Sequence, residues 1–130
     1  ARALPEFGML LLVEPINRLD IPGFYLSRSD AAIALIDAVG ADNLFLQYDI
    51  YHAQRSEGEL AGTITRYLPR IAHMQLADNP GRHEPGSGEI NFPWLLRHID
   101  RLGYRGWIGC EYNPAANTMD GLEWMHALDA

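Results

Sequence analysis

Short apolar runs alternate with longer stretches of helical spacing four times along the chain. The first run is MLLLVEPIN. After a loop with Pro22 and Gly23, SRSDAAIALIDAVG places Ala32, Leu35, Ile36 and Val39 on one helical face. Ser27 or Ser29 is the start signal of that helix, and Gly40 can close it. The second run, LFLQYDIYH, leads to a helix through Leu60, Ile64, Tyr67 and Leu68. The third, IAHMQLAD, is followed by a long glycine-rich loop, NPGRHEPGSGEIN, and then by NFPWLLRHIDRLG. That last segment predicts a helix with Asn91 as cap and Pro93 in the first turn. Its inward residues are Phe92, Leu95, Leu96, Ile99 and Leu102, and Gly103 stops it. The fourth run, RGWIGCEYN, precedes TMDGLEWMHALDA, an expected final helix with Leu122, Met125 and Leu128 on a common side.

Strands alternating with helices imply βαβ units, hence a parallel sheet covered by helices. Four such units form either a small open α/β sheet or half of an eight-stranded barrel, and periodicity alone does not choose. The strand ends say more. Side chains alternate across a strand, so Leu12 and Glu14 share a face, as do Gln47 and Asp49, His73 and Gln75, and Gly109 and Glu111. Each pattern ends in an oxygen donor near the C-terminal end of its strand, where parallel α/β folds hold their active sites. Taken singly, each residue has an ordinary alternative. Glu14 before Pro15 can end a strand, Asp49 and His52 suit a surface loop, and Gln75 can satisfy backbone. Together, three carboxylates would repel one another unless a cation relieved them. An all-oxygen set of Glu14, Asp49, Gln75 and Glu111 suits Mg²⁺ or Mn²⁺ better than Zn²⁺.

Composition narrows the partners. The chain has 130 residues, 48% of them hydrophobic, which reads as one globular domain over 1–130. A net charge of −7 disfavours nucleic acid or an anionic membrane as partner. No apolar run approaches the roughly 18 residues of a membrane span, and the first residues lack the regions of a signal peptide, so a cytoplasmic location is expected. The single cysteine, Cys110, lies in a strand-like run and reads as a packing residue, as do Tyr48, Tyr51 and Trp107.

The segments LLVEPINR, YDIYHAQ, HMQLADNPGRHEPGSGEIN and GWIGCEYNP together resemble the hydroxypyruvate isomerases, among the xylose-isomerase-like sugar isomerases and epimerases. That resemblance implies an α/β chain of four βα units forming the second half of a (β/α)₈ TIM barrel, with a divalent metal at the C-terminal mouth. It implies that Glu14, Asp49, Gln75 and Glu111 are ligands and that Glu14 and Glu111 exchange protons with substrate. His52 and Arg82 would bind the substrate's polar groups, with His83 as a helper. Related ketose epimerases have histidine at the position of Gln75, and glutamine there goes with the hydroxypyruvate branch. The implied reaction interconverts hydroxypyruvate and tartronate semialdehyde through an enediolate. The alternatives are a ketose 3-epimerase or a non-catalytic half-barrel interaction module. Complete barrels run to about 250 residues. The chain is therefore expected to form a homo-oligomer or to pair with an N-terminal half-barrel.

Overall fold

The computed structural model describes residues 4–128. Four strands, β1 (Leu11–Val13), β2 (Leu44–Asp49), β3 (Ile71–Leu76) and β4 (Ile108–Cys110), form one sheet in chain order, every neighbouring pair parallel. Parallel neighbours need crossovers. These are α1 (Ser29–Val39), α2 (Ile50–Ser56) with α3 (Leu60–Tyr67), and α4 (Phe92–Arg101). A doubly wound sheet reverses its strand order at a switch point, and the order β1-β2-β3-β4 has no reversal. An unreversed run of four parallel strands is the arrangement of a barrel wall.

The core lies between the helices and the outer face of the sheet. Leu44, Leu46 and Tyr48 of β2, with Ile71, Met74 and Leu76 of β3, meet Ala32 and Ile36 of α1, Ile64 of α3, and Phe92, Leu95 and Ile99 of α4. The opposite face carries Phe45, Gln47, His73 and Gln75, all only half-buried. Both β1 and β4 are edge strands. Phe7, Met9 and Leu10 near the β1 edge are exposed, and so is Trp107 before β4, at 85%. Trp107 and the exposed Cys110 lie at the open β4 edge and are not packed within this chain. Among the described residues no helix is long and apolar enough to cross a membrane.

Helix ends follow local chemistry. Gly40 closes α1 in the left-handed region at φ 59°, its N–H donating to Ile36 O, as expected of a glycine at this position. The start differs. Arg28 occupies the cap position without a side-chain bond, and the Ser29 N–H and Oγ both donate to the Glu57 carboxylate. Val39 is 45% exposed and Leu35 half-buried, leaving Ala32 and Ile36 to anchor the helix. In α4, Asn91 Oδ1 accepts from Trp94 N at 3.2 Å, the predicted cap. Leu68 falls in the 3-10 turn Leu68–Arg70 that follows α3, because Pro69 cannot continue the helix.

Two segments depart from expectation. α2 begins directly where β2 ends, because the Asp49 carboxylate caps it by accepting from His52 N at 3.1 Å. The final segment, Asp120–Leu128, is a 3-10 helix rather than an α-helix. Asn117 Oδ1 accepts from both Met119 N and Asp120 N and tightens its first turn. Trp124 packs against the core and Met125 is exposed. The Leu128 side chain lies outside the described part.

Candidate active site

The parallel register aligns the strand ends. Asp49 pairs with Gln75 across β2 and β3, and Gln75 with Gly109 across β3 and β4. Glu111 follows β4, its N–H donating to Leu76 O, and Glu14 follows β1 directly before Pro15. One potential ligand atom from each of Glu14, Asp49, His52 and Glu111 lies within 4.8 Å of the others. Gln75 joins through an amide that composition did not single out. Gln47 Nε2 donates to Glu14 Oε2 at 2.8 Å and to Gln75 Oε1 at 2.5 Å. The signal for Gln47 was its position, two residues before Asp49 on the same strand face.

The electrostatics are those of crowded, partly buried carboxylates. Asp49 is buried, and its Oδ2 has no hydrogen-bond partner among the described residues. Burial pushes the Asp49 carboxyl up to about 6, opposed by the His52 N–H and Arg82 and aided by Glu111. Burial, with the charges of Asp49 and Glu111, pushes Glu14 up to about 7 despite the Gln47 bond. An orphaned buried carboxylate oxygen among three converging acids fits a hard divalent ion, which would relieve both the repulsion and the missing contact.

Arg82 reaches into this group from the loop after β3. Its Nη2 donates to Glu111 Oε2 at 2.6 Å and lies 4.0 Å from Asp49 Oδ2, with the guanidinium carbon 5.1 Å from the centre of the Tyr51 ring. Arg82 adopts φ 57°, a left-handed conformation that disfavours a side chain and persists where surrounding structure enforces it. Here the enforcement comes from Asp78, fully buried, whose carboxylate accepts from the N–H groups of Asn79, Gly86, Gly88 and Ile90. Asn113 N also donates to Arg82 O. A Cβ on Gly88 would collide with Asn79 O, so only glycine fits where the loop returns.

His52 is buried at the start of α2, and its Nε2 lies 4.0 Å from Asp49 Oδ2. Burial and the Arg82 charge push the imidazole down to about 4, so it is neutral near pH 7. His83 stands apart from the ligand atoms, with Nδ1 2.6 Å from Asn113 O. Thus Glu14, Asp49, His52, Gln75, Arg82 and Glu111 gather at one end of the sheet, and His83 braces the loop against the segment after β4.

A profile described as the xylose isomerase-like TIM barrel family matches residues 1–128. The chain belongs to this family. It is 54% identical over 125 residues to the hydroxypyruvate isomerase of Escherichia coli K12, covering 96% of this chain and 48% of that protein. It is 48% identical to the 2-oxo-tetronate isomerase of Cupriavidus necator, again over 96% of this chain and 48% of the relative. The crystal structure of an AP endonuclease, family 2, from Brucella melitensis superposes with a TM-score of 0.94 at 40% identity, covering 97% of this chain and 49% of that one. The chain thus spans about half the length of the relatives it matches, and its four βα units are half of the xylose isomerase-like barrel.

Proposed function

We propose that the complete protein is a metal-dependent isomerase that interconverts hydroxypyruvate, or a closely similar short hydroxy-keto acid, with its aldehyde isomer. The observation that carries this reading is the convergence of Glu14, Asp49 and Glu111 within 4.8 Å at the C-terminal ends of parallel strands. The names of the two relatives, both keto-acid isomerases, support the substrate class. Glu14, Asp49, Gln75 and Glu111 would hold Mg²⁺ or Mn²⁺. When bound, the cation polarises the substrate's carbonyl and adjacent hydroxyl and stabilises charge that develops on their oxygens. One of Glu14 and Glu111 takes a proton from C3 of hydroxypyruvate, and the C–H electron pair forms the C2–C3 double bond of an enediolate. That proton returns at C2, and the other carboxylate passes the hydroxyl proton from O3 to O2, leaving the aldehyde at C3. Atoms and electrons balance without a redox cofactor.

The substrate's own carboxylate takes no part in proton transfer and needs a cationic partner. Arg82 is suited to it, since a guanidinium offers paired donors and a lysine does not. In the full-length protein, Arg82→Lys is expected to weaken binding by about 1.5–3 kcal/mol, read as a raised KM for hydroxypyruvate with Mn²⁺ affinity retained. An unchanged KM would remove Arg82 from substrate binding.

The raised carboxyls also set a pH dependence. Glu14 and Asp49 hold protons up to about pH 7 and 6 in the metal-free fold, above the ordinary carboxyl range near 4. Their contribution to metal-free stability is therefore full below about pH 4 and is lost as pH rises through 6 to 7. A cation must displace the same protons, so Mn²⁺ affinity should rise from pH 5 to 7.5 with proton release. Titration calorimetry in buffers of different ionisation enthalpy reads this directly, and a pH-independent affinity would place the ion elsewhere.

Four further βα units, on the same polypeptide or from a partner, would close the edges of β1 and β4 and cover the half-buried inner face. Endonuclease activity, for which the Brucella protein is named, fits poorly with a net charge of −7, because a nucleic-acid surface calls for clustered basic residues. A cytoplasmic setting accompanies the metabolic reading, as does the free Cys110. Turnover of hydroxypyruvate compared with a ketohexose by the metal-loaded full-length protein tests the proposal. Preference for the ketohexose would move it to the epimerases.

A further inference from the structure

We propose that Asn17 is a positioning residue that locks His52 in its Nε2–H tautomer, making His52 a hydrogen-bond donor to a substrate oxygen and not a metal ligand. Asn17, fully buried in the loop after β1, has its Nδ2 2.7 Å from His52 Nδ1. Which end of an amide faces a ring is often undecided. Here it is fixed. Asn17 Oδ1 accepts from the backbone N–H of Asp20 at 2.8 Å, and Nδ2 also donates to Asp20 Oδ2 at 2.9 Å. A backbone N–H can only donate, so Oδ1 must face Asp20 and Nδ2 must face the ring. His52 Nδ1 is consequently an acceptor, and the proton of the neutral ring sits on Nε2.

Asp20 is itself held in its accepting state. Arg55 Nη1 donates to its Oδ1 at 2.7 Å, and Tyr51 OH donates to its Oδ2 at 2.8 Å. The other tautomer would set Nδ1–H against the Asn17 NH₂. Relief would require turning the amide and breaking both bonds to Asp20, setting the buried Asn17 NH₂ against the Asp20 N–H. His52 Nε2 lies 4.0 Å from Asp49 Oδ2, too far for a hydrogen bond, so it faces the acidic group without donating to Asp49. Distance alone would admit His52 as a further ligand. A protonated ring nitrogen has no lone pair to give. The relay therefore separates roles by tautomer: carboxylates and Gln75 for the cation, and His52 for a carbonyl or hydroxyl oxygen of the substrate. That last assignment rests on the isomerase reading, whereas the tautomer does not.

The test is a long-range ¹H–¹⁵N correlation on the full-length protein with ¹⁵N-labelled histidine, with and without Mg²⁺. The expected spectrum shows a pyrrole-type Nε2 and a pyridine-type Nδ1 for His52, retained when Mg²⁺ is added. A protonated Nδ1 would overturn the proposal even if hydroxypyruvate is turned over. In Asn17→Asp a carboxylate replaces the amide and can accept from Nδ1–H, so the tautomer should invert. With the donor lost, kcat for hydroxypyruvate should fall about ten- to a hundredfold, the equivalent of one hydrogen bond to developing charge, with a smaller change in KM. An inverted tautomer with unchanged kcat would refute the donor role. If no turnover is found in any form, the wild-type spectrum still decides the tautomer, so failure of the isomerase reading stays separate.

Discussion

Glu111→Gln in the full-length protein should lower turnover of hydroxypyruvate by about 10²- to 10⁴-fold, the range for loss of a positioned acid or base. The substitution is nearly isosteric, and Glu111 is exposed on the segment after β4, so little packing changes. The new amide oxygen can still accept from Arg82, which now donates to Oε2 at 2.6 Å. What disappears is the charge and the ability to hold a proton. Glu14→Gln should match it, because the proposed mechanism needs one group to move the carbon-bound proton and a second to move the hydroxyl proton. Turnover within tenfold of wild type for either variant, at saturating Mg²⁺ and an unchanged melting temperature, would exclude that residue from proton transfer.

The largest expected effect on stability lies away from the reacting groups. Asp78→Ala should destabilise the full-length protein by about 3–5 kcal/mol, the scale of losing several charge-assisted bonds and leaving buried donors unpaired. The Asp78 carboxylate accepts from four backbone N–H groups between Asn79 and Ile90. Because the loop holds Arg82 in its left-handed conformation, the variant should also raise KM for hydroxypyruvate, as expected of Arg82→Lys. Denaturant unfolding and steady-state kinetics on one preparation measure both. A loss under 1 kcal/mol would mean that the loop is held by other contacts.

How far each feature could be read in the sequence depends on how local its cause is. The four strands follow from apolar runs, and α4 follows from Asn91, Pro93 and Gly103, whose cap and breaker chemistry acts within a few residues. Periodicity did not separate barrel from open sheet, because strand order is a long-range property; the motif resemblance pointed to half a barrel, and the family match and the superposed structure bear that out. α2 is hidden because the Asp49 carboxylate both ends a strand and caps a helix, and the pattern of a ligand at a strand end masks the pattern of a cap. The final segment departs for a related reason: the Asn117 side chain competes for the first N–H groups and tightens the turn.

The same distinction runs through the site. Glu14, Asp49, Gln75 and Glu111 were legible because strand alternation puts each on the inner face, and the structure gathers them. Gln47 lies on that face too, yet its bonds to Glu14 and Gln75 join three strands, which no single strand reveals. Asn17 and Asp78 act through partners 35 and 12 residues away. His83 carried the composition of a binding residue, but its ring is turned to Asn113 O, and the spacing of the loop gave no sign of that.

The central claim, that this barrel end binds a divalent cation and uses two glutamates to move protons on a short hydroxy-keto acid, is tested most directly by NMR. The full-length protein is incubated with hydroxypyruvate in D₂O, with Mg²⁺ or with chelator. The predicted result is Mg²⁺-dependent formation of tartronate semialdehyde, lost with chelator and slowed at least about a hundredfold in Glu111→Gln. Hydroxypyruvate left unchanged by the Mg²⁺-loaded protein, or converted equally well by Glu111→Gln, would contradict it.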